Sequence, residues 1–568
     1  MTQPSFDLPV KKYRNILIWP LLLRGNPAGD GPPLARWSKV FTDAGWEANH
    51  PTKVVQNGRE VWRVPAGNPY EEVVYFHPFV RDFLYGDGTT EPKDRAIHRL
   101  NHPKAKTVRV AFTSFRFAPC QEDVTLRLTV DRVELYLCKP NVALFVVEVS
   151  TPVHDADPTR PVTLAQVLDF QDQFRRIYPP FWYDTPAKGD DATNPGLCMK
   201  SVEWFAQAGP IPPKIDPLVP HDCTARAGTF KDFTADGAEP PVFAHWRYFL
   251  APLCPLHTRH DIDADTLCYQ QIMDERIPAL SYVGVDDSAA ITPGDLDRLT
   301  FFDAAGADDF PYDRGFLDEH RKRHTYERFA HYGTRFLFSG YGFTTVGNVG
   351  DYFFGTVLEG HFRHHYFKLG LLAHYLRASL LGFADELAEA IKLLQGEGDV
   401  LTEWSNPKFR DKVQQIQTRF LKFRNRSWFP EVSNQQQGSE LHQKWFAHLS
   451  LDTLFRQVCD TSAQLHASLA EHETRQLSRS QEKLAKIAAI VLPLSVALSV
   501  LSVLFASVIP SQPEKPTPDS IHADFYLRLG LWTLIPALLF GGLLAFSKPL
   551  RAVWRRVWRW ARRWREWE

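Results

Sequence analysis

Histidines at helical spacing are the residues of this chain best suited to chemistry. His361 and His365 stand four apart, with Glu359 and His364 beside them. Two imidazoles at i and i+4 can hold a transition metal if carboxylates or waters complete the shell. No HExxH pattern accompanies them, and packing within an aromatic, partly buried helix explains the same spacing. His320, His324 and His331 form a similar cluster beside Arg321, Lys322 and Arg323, which a solvated or anion-facing helix also explains. Enzyme signatures fail: GxxxxGKS/T, GxSxG and a spaced zinc set do not occur. The run GYGFTTVGNVGDYFFG lacks GxGxxG spacing and reads as a turn between strand and helix. The chain is expected not to be an enzyme.

Three further constellations lie near the C-terminus. Ser495, Ser499, Ser502 and Ala506 share one helical face, either as a hydroxyl-lined pore or as small residues that let helices pack closely. Gln512, Glu514, Asp519 and Asp524 follow in a short polar stretch, and repeated around an oligomer they would ring an outer mouth. The tail RAVWRRVWRWARRWREWE sets Trp554, Trp558, Trp560 and Trp564 among Arg555, Arg559 and other arginines, the composition of a helix lying at a lipid headgroup surface.

The elements that must position these groups are two apolar runs. From Ile487 to Pro513 no charged residue appears, and Leu529 to Phe546 is uncharged between Arg528 and Lys548. A bilayer core needs about 20 apolar residues in a helix, so both runs are expected to span. Arg475, Arg479, Lys483 and Lys486 precede the first, and eight basic residues from Lys548 onward follow the second. That asymmetry places both termini in the cytoplasm of a multi-pass inner-membrane protein, with the bilayer as a partner. The net charge of -1 combines a tail of +6 from Lys548 with about -7 elsewhere, which argues against general nucleic-acid binding by the bulk of the chain, and seven cysteines without a CxxC pair fit reduced thiols.

Upstream, Tyr13 to about Gly350 reads as mixed α/β. Strands are expected at Asn15–Leu23, Val108–Phe117, Trp246–Ala251 and Arg335–Phe338. Val124, Leu126, Leu128 and Val130 alternate with polar residues. The phase slips at Asp131-Arg132, and Val133, Leu135 and Leu137 resume it. A turn at 139–141 leads into ALFVVEV, apolar enough for a central strand, and Thr163–Ile177 reads as a helix. Pro- and Asp-rich stretches at 185–195, 209–220 and 293–313 read as linkers. Beyond Asp351 helical spacing takes over, at Glu359–Leu394, Phe409–Phe423 and from Glu440 without proline or glycine to Pro493. Continuous with the first span, that last helix would run about 70 residues, or about 105 Å.

This organisation, together with the texture of HHYFKLGLLAHYLRASLLGFADELAEAIK and FRNRSWFPEVSNQQQGSELHQKWFAHL, resembles the CorA-like divalent-cation transporters. The likeness covers roughly the last 210 residues. Transporting members carry Gly-Met-Asn just after the first span, where this chain reads FASVIPSQ. The resemblance implies an α/β cytosolic N-terminal domain, a long helical stalk and two C-terminal transmembrane helices. Its expected bounds are 1–350 for the α/β domain, 351–486 for the stalk, 487–510 and 529–547 for the spans, 511–528 for the outer loop and 548–568 for the tail. It further implies a homopentamer passing cations, magnesium among them as a transported or regulatory ion. A cytosolic small molecule or metal would gate that pore. The alternative is a signal-activated effector that permeabilises the membrane.

Overall fold

The computed structural model describes residues 8–49, 52–56, 59–63, 74–86, 90–117, 120–178, 199–209, 242–255, 266–272, 275–306, 310–393 and 407–508. Two compact units divide the chain, 1–473 and 474–568.

The first unit is built on β1 (Val10–Arg24), apolar almost without interruption from Ile16. A strand covered on both faces needs such a run. Its side chains alternate between two cores. Tyr13, Leu17, Trp19, Leu21 and Leu23 enter one, and Ile16, Ile18 and Leu22 the other. The other principal strands are β2 (Ile97–Asn101), β3 (Thr107–Phe117), β4 (Cys120–Cys138), β5 (Val142–His154), β6 (Ser201–Phe205), β7 (Ala279–Val285), β8 (Arg335–Ser339) and β9 (Gly342–Asn348). Among the described residues the sheet has 13 strands, and its middle runs β8-β9-β7-β1-β5-β4-β2. Along that path only β7 and β9 pair in parallel. β3 pairs with the first half of β4, and β6 with β3.

The phase slip at Asp131-Arg132 is a real irregularity, since the register of β4 against β5 shifts between Val130 and Arg132. One extra residue there returns Val133, Leu135 and Leu137 to the core that holds Val124 to Val130.

Helices cover both faces. The first core lies under α1 (Pro33–Asp43), α3 (Leu164–Phe174) and α4 (Pro293–Phe301). Thr163 and Gln166 form a reciprocal capping box at the start of α3. The second core lies under α2 (Pro78–Tyr85), α6 (Phe367–Lys392), α7 (Pro407–Arg426), α8 (Gln436–His448) and the start of α9 (Leu451–Val508). Between them, α5 (Arg314–His324) leads towards β8.

Several expectations need correction. Among the described residues no helix is long and apolar enough to cross a membrane. That overturns the transmembrane fold class, the membrane and channel assignment and the multi-pass inner-membrane placement. The physical reason lies in α9, where charged residues recur along 451–486 outside the buried Leu451, Val458 and Leu465, and the uncharged run that follows holds Pro493 and four serines. The second run, 529–547, lies outside the described residues, as do the outer loop and the tail. The long helix also starts later than Glu440, because Ser450 at φ 52° separates α8 from α9. Trp246–Ala251 is no strand. A helical turn at Ala244–Arg247 opens it, and Phe243, Trp246, Phe249 and Leu250 reach the core at helical spacing. Part of the supposed linker 293–313 is α4, with Pro293 opening the helix behind a Thr292 cap. The linkers 185–195 and 210–220 lie outside the described residues.

Candidate functional site: a charge network at a π-helical joint

Three neighbouring strands carry charge at the same end of the second-core face. On β1 the apolar positions Ile18 and Ile16 give way to Arg14 and Lys12, and on β5 Leu144 and Val146 give way to Glu148 and Ser150. On β4, Asp131 and Arg132 both join this group at the bulge. Over them lies 353–366, an unusual segment. Residues Phe353–Leu358 and Phe362–Tyr366 are π-helical around one α turn, Glu359–His361. π-Windings are rare and hydrogen-bond one residue further along, so they need support from outside the helix.

Glu148 supplies much of that support. Its carboxylate, fully buried, accepts from Arg14 Nη1 at 2.6 Å and from Arg363 Nε at 2.8 Å. Arg132 Nε lies 2.5 Å from its other oxygen as an ion pair, without the alignment of a hydrogen bond. Arg14 also reaches Asp131 at 2.8 Å and Glu359 at 3.1 Å. Lys12 Nζ donates to Glu359 at 3.0 Å and to the Gly355 carbonyl at 2.6 Å. Arg132 closes the circuit by donating to the Arg363 carbonyl at 3.1 Å, its guanidinium 4.0 Å from the Phe367 ring centre. A second branch continues under α6. There Lys368 donates to the Tyr136 hydroxyl at 3.1 Å, Tyr136 donates to Glu134 at 2.6 Å, and Arg99 pairs with Glu134.

Burial alone would raise the Glu148 carboxyl, but Arg132, Arg14 and Arg363 outweigh it and hold it below the usual range. Glu134 is likewise pushed up by burial and then brought down to about 2 by Arg99, Arg132 and Lys368. Both stay ionised at neutral pH, so the network is fixed charge rather than a proton donor.

The other side of the joint is held by shape. Tyr282 of β7 donates its hydroxyl to the Phe354 carbonyl and stacks on that ring at 4.5 Å. A Cβ at Gly347 would stand 2.3 Å from the Phe354 ring, so this glycine of the Gly-rich run makes the seat.

His361 and His365 fall within the joint, their Nδ1 atoms 2.9 Å apart in a hydrogen bond. Among the described residues no set of three or more His, Cys, Asp or Glu side chains is arranged to hold a metal ion. Ser495, Ser499 and Ser502 lie on α9, and each hydroxyl donates to its own helix, to the carbonyls of Leu492, Ser495 and Ser499 respectively. Ala506 lies on the same helix, with its side chain outside the described set. Gln512, Glu514, Asp519, Asp524, Trp554, Trp558, Trp560, Trp564, Arg555 and Arg559 lie outside the described residues. The site residues that sequence reasoning missed are Arg14, Glu148 and Arg363. For Arg14 and Glu148 the available signal was charge near the end of an otherwise apolar strand, whereas Arg363 lies in the π-helical segment. No family model, curated protein or solved structure matches this chain.

Proposed function

We propose that this chain is a non-catalytic regulatory protein in which the state of the sheet is passed, through the joint at 353–366, to a helical region that associates with further copies of itself. The observation that carries this reading is the Glu148 network. It ties residues from three strands to one poorly self-supporting helical segment, which continues directly into α6. A segment of that kind can take two packings if a signal shifts the charge balance beneath it.

Self-association is supported by α9. Leu477, Leu484 and Val491 recur every seven residues and are 64%, 63% and 43% exposed, with Ile487 and Leu494 four and three positions away on the same seam. A 3.5-residue apolar repeat is the signature of helices that wind around one another, and like chains satisfy it without a foreign partner.

The test is sedimentation velocity combined with hydrogen exchange on the full chain. Leu484→Lys with Val491→Lys should shift the assembly towards monomer. Glu148→Gln should loosen 353–366 and change the distribution of assembled species. An assembly state unaltered by either substitution would sink the proposal.

A further inference from the structure

His448, the last residue of α8, lies beside a histidine pair that the sequence showed only in part. His320 and His324 are four apart on α5, and His324 ends that helix. The His324 Nδ1 and His448 Nε2 atoms are 2.7 Å apart, with ring centres at 4.1 Å. The His320 ring centre lies 4.3 Å from that of His324 and 6.5 Å from that of His448. His331, grouped with them by sequence, packs against Tyr332 instead, the rings tilted at 43°.

The walls are aromatic. Phe338 of β8 stacks on His448 at 5.8 Å, and Phe301 of α4 lies 4.7 Å from His320. All three histidines are half-buried. The charged groups nearby are largely committed elsewhere. Arg321 pairs with Asp297 and Asp318, Arg323 pairs with Glu319, and Lys444 of α8 donates to the Arg323 carbonyl.

The geometry points to an open transition-metal site, in which His324 and His448 supply two imidazole nitrogens to a Zn2+-like ion and His320 swings in as the third. Two nitrogens bound to one tetrahedral zinc at about 2.0–2.1 Å stand about 3.3 Å apart. The 2.7 Å pair must therefore open by about 0.6 Å to admit the ion. Imidazole donors select zinc, cobalt, nickel or copper over magnesium and calcium, which prefer oxygen. The fourth position is left to water. Such an ion would staple α5 to the end of α8, next to the Ser450 break, and the inference stands apart from the assembly reading.

Calorimetric titration of the untagged full chain with Zn2+, and absorption of the Co2+-loaded form, test the site. The expected result is one ion per chain, a cobalt spectrum of low-coordinate type and a metal-induced rise in melting temperature. His324→Ala and His448→Ala should each weaken zinc uptake by more than the about 10–100-fold that losing an outer partner of a metal ligand costs. Because His448 also packs on Phe338, His320→Asn provides a variant on the opposite flank. It should keep the metal-free melting temperature, lose part of the affinity and change the cobalt spectrum. Uptake unchanged in all three variants would overturn the site, as would loss of uptake in a His361→Ala, His365→Ala double variant instead.

Discussion

Two buried ionic networks, on opposite faces of one sheet, are built to different ends. Around Asp172 of α3, Arg176, Arg276 and Arg175 lie at 3.3, 3.7 and 4.0 Å, and Arg176 pairs with Glu275 at 2.7 Å. Its surroundings are sealed. Arg175 donates to the Phe302 carbonyl at 3.1 Å, Asp169 accepts from Ser114 and from the Ala305 amide, and Gln171 is buried with neither amide atom partnered. The contacts to Glu148 itself are tighter, at 2.5–2.8 Å, yet Arg363 and, through Glu359 at 3.0 Å, Lys12 are members of this network and are about a third exposed. A network closed off from solvent can change only by unfolding its surroundings, and its worth is in specifying one packing. One with an open rim can exchange partners while the sheet stays folded. Depth and rim access, rather than the number of charges, separate a structural network from a responsive one.

That contrast can be broken experimentally. The largest effect is expected from Glu148→Gln, which leaves three guanidinium groups without their shared carboxylate and should cost about 3–5 kcal/mol in denaturant unfolding. Amide exchange should rise at 353–366. Asp172→Asn should cost less, about 3 kcal/mol, because its contacts are longer, and should leave exchange at 353–366 unchanged. Equal exchange in the two variants would remove the distinction.

Mild acid supplies a third comparison. Burial lowers His245 and His374 to about 3 and His442 to about 4. The unfolded chain, with histidines near 6.5, then binds more protons than the fold. Stability is full above about pH 6.5 and falls as pH drops from there towards 4. Glu148 starts ionised rather than neutral, and its contribution is lost only below the unfolded carboxylate value near 4.5. Melting scans should therefore show a loss between pH 6.5 and 4.5 during which 353–366 stays protected. The smallest effect is local. Thr163→Ala removes one side of the capping box and should cost about 1 kcal/mol, with no change at the joint.

How much of this was visible in the sequence depended on distance along the chain. The bulge at Asp131-Arg132 was legible because a period-two pattern changes phase within three residues, and the Thr163 helix start was legible from its own first turn. Glu148 was hidden because ALFVVEV is apolar enough to read as a central strand despite its one glutamate, and its partner Arg363 lies 215 residues away. His324 could be grouped with His320, but not with His448, 124 residues on. Pro293 reads as linker composition although it opens a helix. Pattern reports neighbours and periods, whereas the joint and the histidine cluster are products of topology.

The single left-handed residue at Ser450 has a consequence for direction. A loop of several residues lets two helices point independently, but one fixed backbone unit leaves no slack. The bearing on which α9 sets out is thus dictated by the roll and tilt of α8, like a compass needle turning on one pin. Whatever grips the end of α8 at His448 steers the opening turns of the longest helix in the described chain.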